Sequence, residues 1–254
     1  MCLILLAVGM HPDYPLILAA NRDEFDRRLA RAAHFWDEAP WVLAGKDERS
    51  QGTWLGVSTQ GKVAMLTNIR DPKAQAGLSR GRLLRRYLLQ EESPEAYLAW
   101  LRSRAEEFSG FNLIIGTVWE LFYLNSRDLD PVHLQSGIHG LSNASLNTAW
   151  PKVRQGKEAL SRLLSAFRPP LMQDLMSILA DRTQPLDGEL PDTGVGLAAE
   201  RFLAPICVQR EAYGTQVSTV MKVHSSGHVH FWEKDVRRQG LEPSLRHFEL
   251  DVPF

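Results

Sequence analysis

Apolar residues run along this chain in short blocks, each closed by glycine, proline, aspartate or serine, and the blocks pair into hairpins. CLILLAVG (2–9) and PLILAAN (15–21) flank the turn-like MHPDY. TWLGVSTQGKVAMLTNI (53–69) folds at Thr59-Gln60-Gly61, and FNLIIGTVWELFYLNS (111–126) turns near Val118-Trp119-Glu120. QVSTVMKVHSSGHVHFWEK (216–234) turns at Ser225-Ser226-Gly227. Connections this tight make antiparallel pairs. The first three hairpins mostly lack the apolar–polar alternation of a sheet with one wet face. Leu3, Leu5 and Ala7 point one way and Ile4, Leu6 and Val8 the other, so both faces must be covered.

Helical periodicity supplies the cover. SRGRLLRRYLLQ (79–90) puts Leu83, Leu84, Tyr87 and Leu88 on one stripe. SPEAYLAWLRSRAEEF (93–108) has Ser93 as its N-cap and Pro94 at the first helical position. PKVRQGKEALSRLLSAF (151–167) aligns Leu160, Leu163, Leu164 and Phe167, and LMQDLMSILAD (171–181) is a shorter helix. Residues 25–54 show neither period and read as an irregular lid or pocket rim. The order of hairpins, helices, a hairpin, helices and a last hairpin predicts an α+β fold. Its form is a four-layer αββα sandwich, two stacked antiparallel sheets flanked by helices. Pro169-Pro170 and QPLDGELPDTG read as surface connections, so residues 1–254 are expected to form a single domain.

Composition narrows the function. Twenty-nine Lys and Arg stand against 30 Asp and Glu, a net charge of -1, so nothing draws the whole chain to nucleic acid. The two cysteines, Cys2 and Cys207, build no disulfide framework and point to a reducing compartment. The opening apolar run is too short to span a bilayer and has no basic flank, so a cytoplasmic protein without a transmembrane segment is expected.

Cys2 is the first candidate for chemistry. A small residue behind the initiator lets Met1 be removed, which leaves a thiol and a free α-amine on one residue. An αββα sandwich is the architecture of N-terminal nucleophile hydrolases, in which the first side chain attacks a carbonyl and its own amine takes the proton. An α-amine with a pKa of about 7.7–8.0 is partly neutral near pH 7 and serves as a base. A nearby arginine would lower the thiol pKa. The bland alternative is a buried cysteine in a strand. AANRDEF (19–25) closes the second strand, and hairpin pairing returns it to the chain start. There Arg22 can hold the thiolate or a substrate carboxylate, Asp23 can orient the amine, and Glu24 balances Arg22; Asn21 is a further polar candidate.

The stretches MCLILLA, LILAANRDEF, GTWLGVSTQGKVAMLTNIR, SRGRLL, FNLIIG, GIHGLSNASLNTAWPKV and YGTQVSTV occur in order from Met1 to Val220. Together they resemble the NRDE family, also called the transport and Golgi organisation protein 2 family. The resemblance implies the αββα fold and an N-terminal nucleophile hydrolase ancestry through Cys2, shared with choloylglycine hydrolase and penicillin V acylase. It places Cys2 at the nucleophile and Arg22 and Asp23 near it, although the amidases separate that pair and this chain does not. Asn143, in GLSNAS, resembles an oxyanion-hole asparagine, and Asn68, in LTNIR, is a second donor candidate. Relatives often carry arginine after YGT where this chain has Gln216, which brings hydrogen bonds but no charge. The implied reaction is cleavage of an amide or acyl thioester without a cofactor. The rival is a non-catalytic carrier of haem or acyl ligands.

Three further features carry lesser expectations. Arg70, Arg80 and Arg82 surround a helix start at Ser79 and could dock an anionic substrate end. His139 precedes the oxyanion candidate and could line the pocket. His224, His228 and His230 cross the last hairpin turn, and His228 and His230 share a strand face. With no acidic ligand close in sequence, no metal is expected there.

Overall fold

The computed structural model describes residues 2–71, 77–165, 168–236 and 244–254. The positions of Met1 and Phe167 in the sequence reading lie outside these described residues. Along the chain run β1 (Cys2–Val8), β2 (Leu16–Phe25), β3 (Ala30–Trp36), β4 (Ala39–Asp47), β5 (Leu55–Ser58) and β6 (Lys62–Asn68). Then come α1 (Gly81–Leu89), α2 (Pro94–Arg102), β7 (Phe111–Thr117), β8 (Leu121–Asn125), β9 (Val132–His133) and β10 (Gly137–Leu141). Next are α3 (Pro151–Leu164), α4 (Met172–Leu179) and α5 (Leu197–Leu203). The chain ends with β11 (Gln209–Arg210), β12 (Tyr213–Val223), β13 (His228–Asp235) and β14 (Leu245–Asp251).

The strands build two antiparallel sheets, one ordered β10-β1-β2-β12-β13-β14 with β11 paired to β12, the other running from β3 to β9 in sequence order. Ile4, Leu6, Leu18, Val57, Met65, Ile114, Met221 and Phe231 interdigitate between them. On the first sheet's outer face Leu3, Leu5, Ala7, Ile17 and Val220 pack under Val153, Leu160, Leu175 and Leu179 of α3 and α4. On the second sheet's outer face Leu66, Leu113, Ile115 and Leu124 pack under α1 and α2. The two-sided apolar character of β1 therefore has its reason: one set of side chains meets the other sheet and the other set meets helices. Each large side chain buried this way contributes about 1.5–3 kcal/mol.

The four predicted hairpins form. Gly61 and Gly227 turn two of them at φ +80 and +86, a backbone that side chains with a Cβ rarely adopt. Ser93 caps α2 by accepting from the Ala96 N–H, as expected. Residues 25–54 correct the sequence reading in part, for they hold the β3–β4 hairpin rather than an irregular segment, while Asp47, Arg49, Ser50, Thr53 and Trp54 do line a pocket. Register shifts near Arg31–His34 and Phe35–Trp36 break the two-residue alternation, which hides the strands from pattern reading. Strands β10 and β14 were also not foreseen. Among the described residues no helix is long and apolar enough to cross a membrane.

Candidate active site

Antiparallel register carries the first two candidates together. Cys2 opens β1 directly opposite Arg22 on β2, and β2 also pairs with β12 along its whole length. The end of this three-strand unit faces a cavity of about 460 Å³, whose wall includes Cys2, Arg22, Asp23, Trp54, Asn68 and Arg80. The opposite wall comes from residues 47–54 and 77–82. There Gly52 crosses Gly81 so closely that a Cβ on Gly52 would lie 2.3 Å from the Gly81 carbonyl carbon, and the Thr53 N–H donates to the Gly81 oxygen. Two glycines let a loop and a helix start share one wall.

Arg22 is buried, stacks 4.4 Å over Trp54, and lies 3.6 Å from Asp47 and 3.8 Å from Glu24. Asp47 in turn accepts from the Arg28 Nε–H at 2.7 Å and from the Ser50 N–H and hydroxyl. Against the burial that would raise it, these hydrogen bonds hold the Asp47 carboxyl below its ordinary value. Arg22 therefore shares its charge with two carboxylates, and the effect on the thiol differs from the expectation. Burial pushes the Cys2 thiol up, the Asp23 carboxylate adds to the rise, and the opposing contributions, of which Arg22 is the smallest, only partly offset it.

Asp23 points to the opposite face of β2, away from Arg22. It accepts from the Thr215 hydroxyl at 2.6 Å and faces Lys152 of α3 at 3.9 Å, both side chains nearly without exposure. Burial raises the Asp23 carboxyl and lowers the Lys152 ammonium, driving both toward their neutral forms. Lys152 was not singled out in the sequence. It sits inside AWPKV, and the only signal was a lysine in the first turn of an otherwise apolar helix face.

The asparagines line up in series. Asn68 reaches the cavity, while Asn143 lies buried behind it and donates its amide to the Asn68 carbonyl at 2.6 Å. The neighbouring Ser142 hydroxyl donates to the Cys2 carbonyl at 3.0 Å, and the Thr67 hydroxyl donates to the Ser142 carbonyl. The segment Ser142-Asn143 thus ties the end of β1 to the end of β6.

Arg80 reaches the cavity and donates to the Gly110 carbonyl at 3.1 Å, with burial lowering its pKa. Ser79, Arg82, Arg28 and Arg49 join it on the wall, so arginines outnumber the carboxylates of Glu24 and Asp47. Four other candidates stand away from this wall. Asn21 donates to the carbonyls of Leu179 and Ile206, tying β2 to the α4 layer. Arg70 pairs with buried Glu200 and stacks 4.5 Å from Trp150. His139 sits between the Gln135 carbonyl and Asn147. Gln216 donates to the Glu24 carbonyl and to Asp26. Alternation turned Asn21 to the helix face, whereas Arg70 lies beyond the end of β6, His139 stands opposite Leu6 away from Cys2 along β1, and Gln216 sits at the bulge of β12.

Comparison with known proteins follows this geometry. Residues 1–238 match the family model described as Transport and Golgi organisation 2. A Transport and Golgi organization protein 2 homolog of Bos taurus is 36% identical over 93% of this chain and 93% of the relative. The Homo sapiens homolog is 32% identical over 98% and 96%. Among solved structures, a mutant conjugated bile acid hydrolase from Clostridium perfringens superposes with a TM-score of 0.55 at 8% identity, covering 99% of this chain and 92% of that one. A second variant of that hydrolase gives 0.50 at 9% identity, covering 100% and 99%. At such identities the likeness is one of fold.

Proposed function

Because the chain belongs to the Transport and Golgi organisation 2 family and folds like a bile acid hydrolase, we propose that it is a cysteine N-terminal nucleophile hydrolase cleaving an amide or acyl thioester. The observation that carries this reading is the register pair Cys2–Arg22 at the mouth of a polar cavity. Removal of Met1 frees the Cys2 α-amine, which takes the thiol proton. The sulfur then bonds to the substrate carbonyl carbon, and the oxyanion is met by Asn68, which Asn143 holds from behind; one such donor is typically worth about 10²–10³ in rate. Collapse expels the amine or thiol, which leaves with the proton, and water hydrolyses the acyl-enzyme. The arginine-rich wall, with Arg80 and Arg82 at its helix start, favours a substrate with an anionic end.

A second reading, a non-catalytic carrier of haem or acyl ligands, draws on one observation: burial raises the Cys2 thiol, which lowers its reactive fraction. The deciding experiment pairs intact mass, which reports Met1 removal, with a thiol-directed acyl probe and a screen of N-acyl amides and acyl thioesters. Hydrolysis and labelling that vanish in Cys2→Ala support the enzyme. Equal labelling of both chains, with saturable haem or acyl binding and no turnover, overturns it.

A further inference from the structure

Among the described residues the covering helices α3 and α4 pack mainly on β10, β1, β2 and β12 and leave the β13–β14 end of that outer face partly open, with His228, His230 and His247 partly exposed and Trp232 against the same core. On this open face His230 stands directly opposite Glu249, and Trp232 opposite His247. His230 Nδ1 lies 3.2 Å from His247 Nε2 and 3.4 Å from Glu249 Oε1, and His247 Nε2 lies 3.5 Å from the same oxygen. We propose that His230, His247 and Glu249, with His228 as fourth donor, bind a divalent transition-metal ion of the zinc class.

Three features of the geometry carry this site. The three donor atoms form a nearly equilateral triangle. Zinc bonds of about 2.0–2.2 Å at tetrahedral angles set neighbouring donors roughly 3.3–3.6 Å apart, so the spacing is already that of ligands. His228 Nε2 comes within 3.7 Å of the second Glu249 oxygen, and His228, His230 and Glu249 each offer an atom within 4.8 Å of the others. The His228 Nδ1 is 2.8 Å from Asp251, and a proton held there leaves Nε2 its lone pair for the ion, as carboxylate-backed histidine ligands do. Imidazoles with one carboxylate suit zinc, nickel or copper rather than magnesium or calcium.

The donors sit on paired strands, so the ladder holds their spacing without loop ordering. Trp232 stacks on His247 at 4.7 Å between ring centres and on His230 at 5.1 Å. Coordination must tip both imidazoles toward a shared ion, which makes Trp232 a built-in reporter. The missing acidic ligand of the sequence reading is Glu249, supplied from the last strand rather than from nearby sequence.

Calorimetric titration of the untagged, chelator-treated chain with zinc chloride tests the proposal. One ion per chain is expected, accompanied by a change in tryptophan emission. Glu249→Gln and His247→Ala should each weaken binding by tenfold or more, and the double variant His230→Ala/His247→Ala should abolish it. Trp232→Phe should keep the ion and lose the emission change, and Cys2→Ala should leave the affinity untouched. No heat of binding, affinity that follows Cys2, or affinity unmoved by Glu249→Gln overturns the site and leaves a hydrogen-bonded cluster. Hydrolysis by the Cys2 cavity stands or falls separately.

Discussion

Arg22 and Asp23 are neighbours in sequence, yet they live in different worlds. Arg22 faces the gap between the sheets, where Trp54, Asp47 and Glu24 meet it beside an open cavity. Asp23 faces the helix layer, where Thr215 and Lys152 meet it with almost no exposure. The cavity-side charge is spread over several partners. The helix-side carboxyl meets the Thr215 hydroxyl and buried Lys152 in a low-dielectric setting. A buried pair is worth little over a hydrophobic replacement, but breaking it is expensive. One β-strand thus divides two tasks: presenting positive charge to a ligand and holding a carboxyl that burial brings close to neutrality.

The largest expected effect breaks the helix-side partner. Lys152→Ala should cost up to about 3–5 kcal/mol, read by denaturant unfolding, because it removes a buried cationic partner of the Asp23 carboxyl. Adding Asp23→Asn in the same chain should return much of that loss. If the single variant is no less stable than the natural chain, the pair does not hold the two layers together.

Glu233 sharpens the comparison, for it faces the sheet gap like Arg22 but is buried like Asp23. Its carboxyl accepts from the Ala33 N–H of the other sheet at 2.6 Å, and burial pushes its pKa up to about 7. A carboxyl raised from 4.5 to about 7 favours the folded state below pH 4.5, and that stability is lost as pH rises through 7. Above that range the loss is about 3 kcal/mol. Glu233→Gln should therefore gain stability at pH 8 but not at pH 4, which paired unfolding curves would show. An equal change at both pH values would mean that Glu233 stays charged in the fold.

The smallest effect falls on the cavity side. Arg22→Met should cost less than the helix-side change, since Asp47 keeps Arg28 and Ser50 as donors. The chemical readout is larger than the energetic one. The Cys2 thiol should move further up, shifting the pH profile of alkylation to higher pH. An unmoved profile would remove Arg22 from the thiol's surroundings.

Much of the fold was legible because burial on both sides leaves continuous apolar runs, as in CLILLAV and FNLIIGT, and because helix stripes such as Leu83, Leu84, Tyr87 and Leu88 follow one period. The β3–β4 hairpin was not legible, since its register shifts break the period on a partly exposed edge. The meeting of Cys2 with Arg22 could be read from the hairpin alone. Trp54, Asp47 and Lys152 could not, because each arrives from another layer.

The amino-acid sequence by itself determined four of the hairpins and the helices that cover them, and that both sheets must be covered, because apolar periodicity and turn chemistry act over a few neighbouring residues. Only the tertiary structure decided which polar side chains share a cavity and which are turned away. It set Asn143 behind Asn68, sent Arg70 to Glu200, and brought Glu249 to His230. Those meetings depend on strand register and layer stacking, where a shift of one residue flips every side chain to the other face.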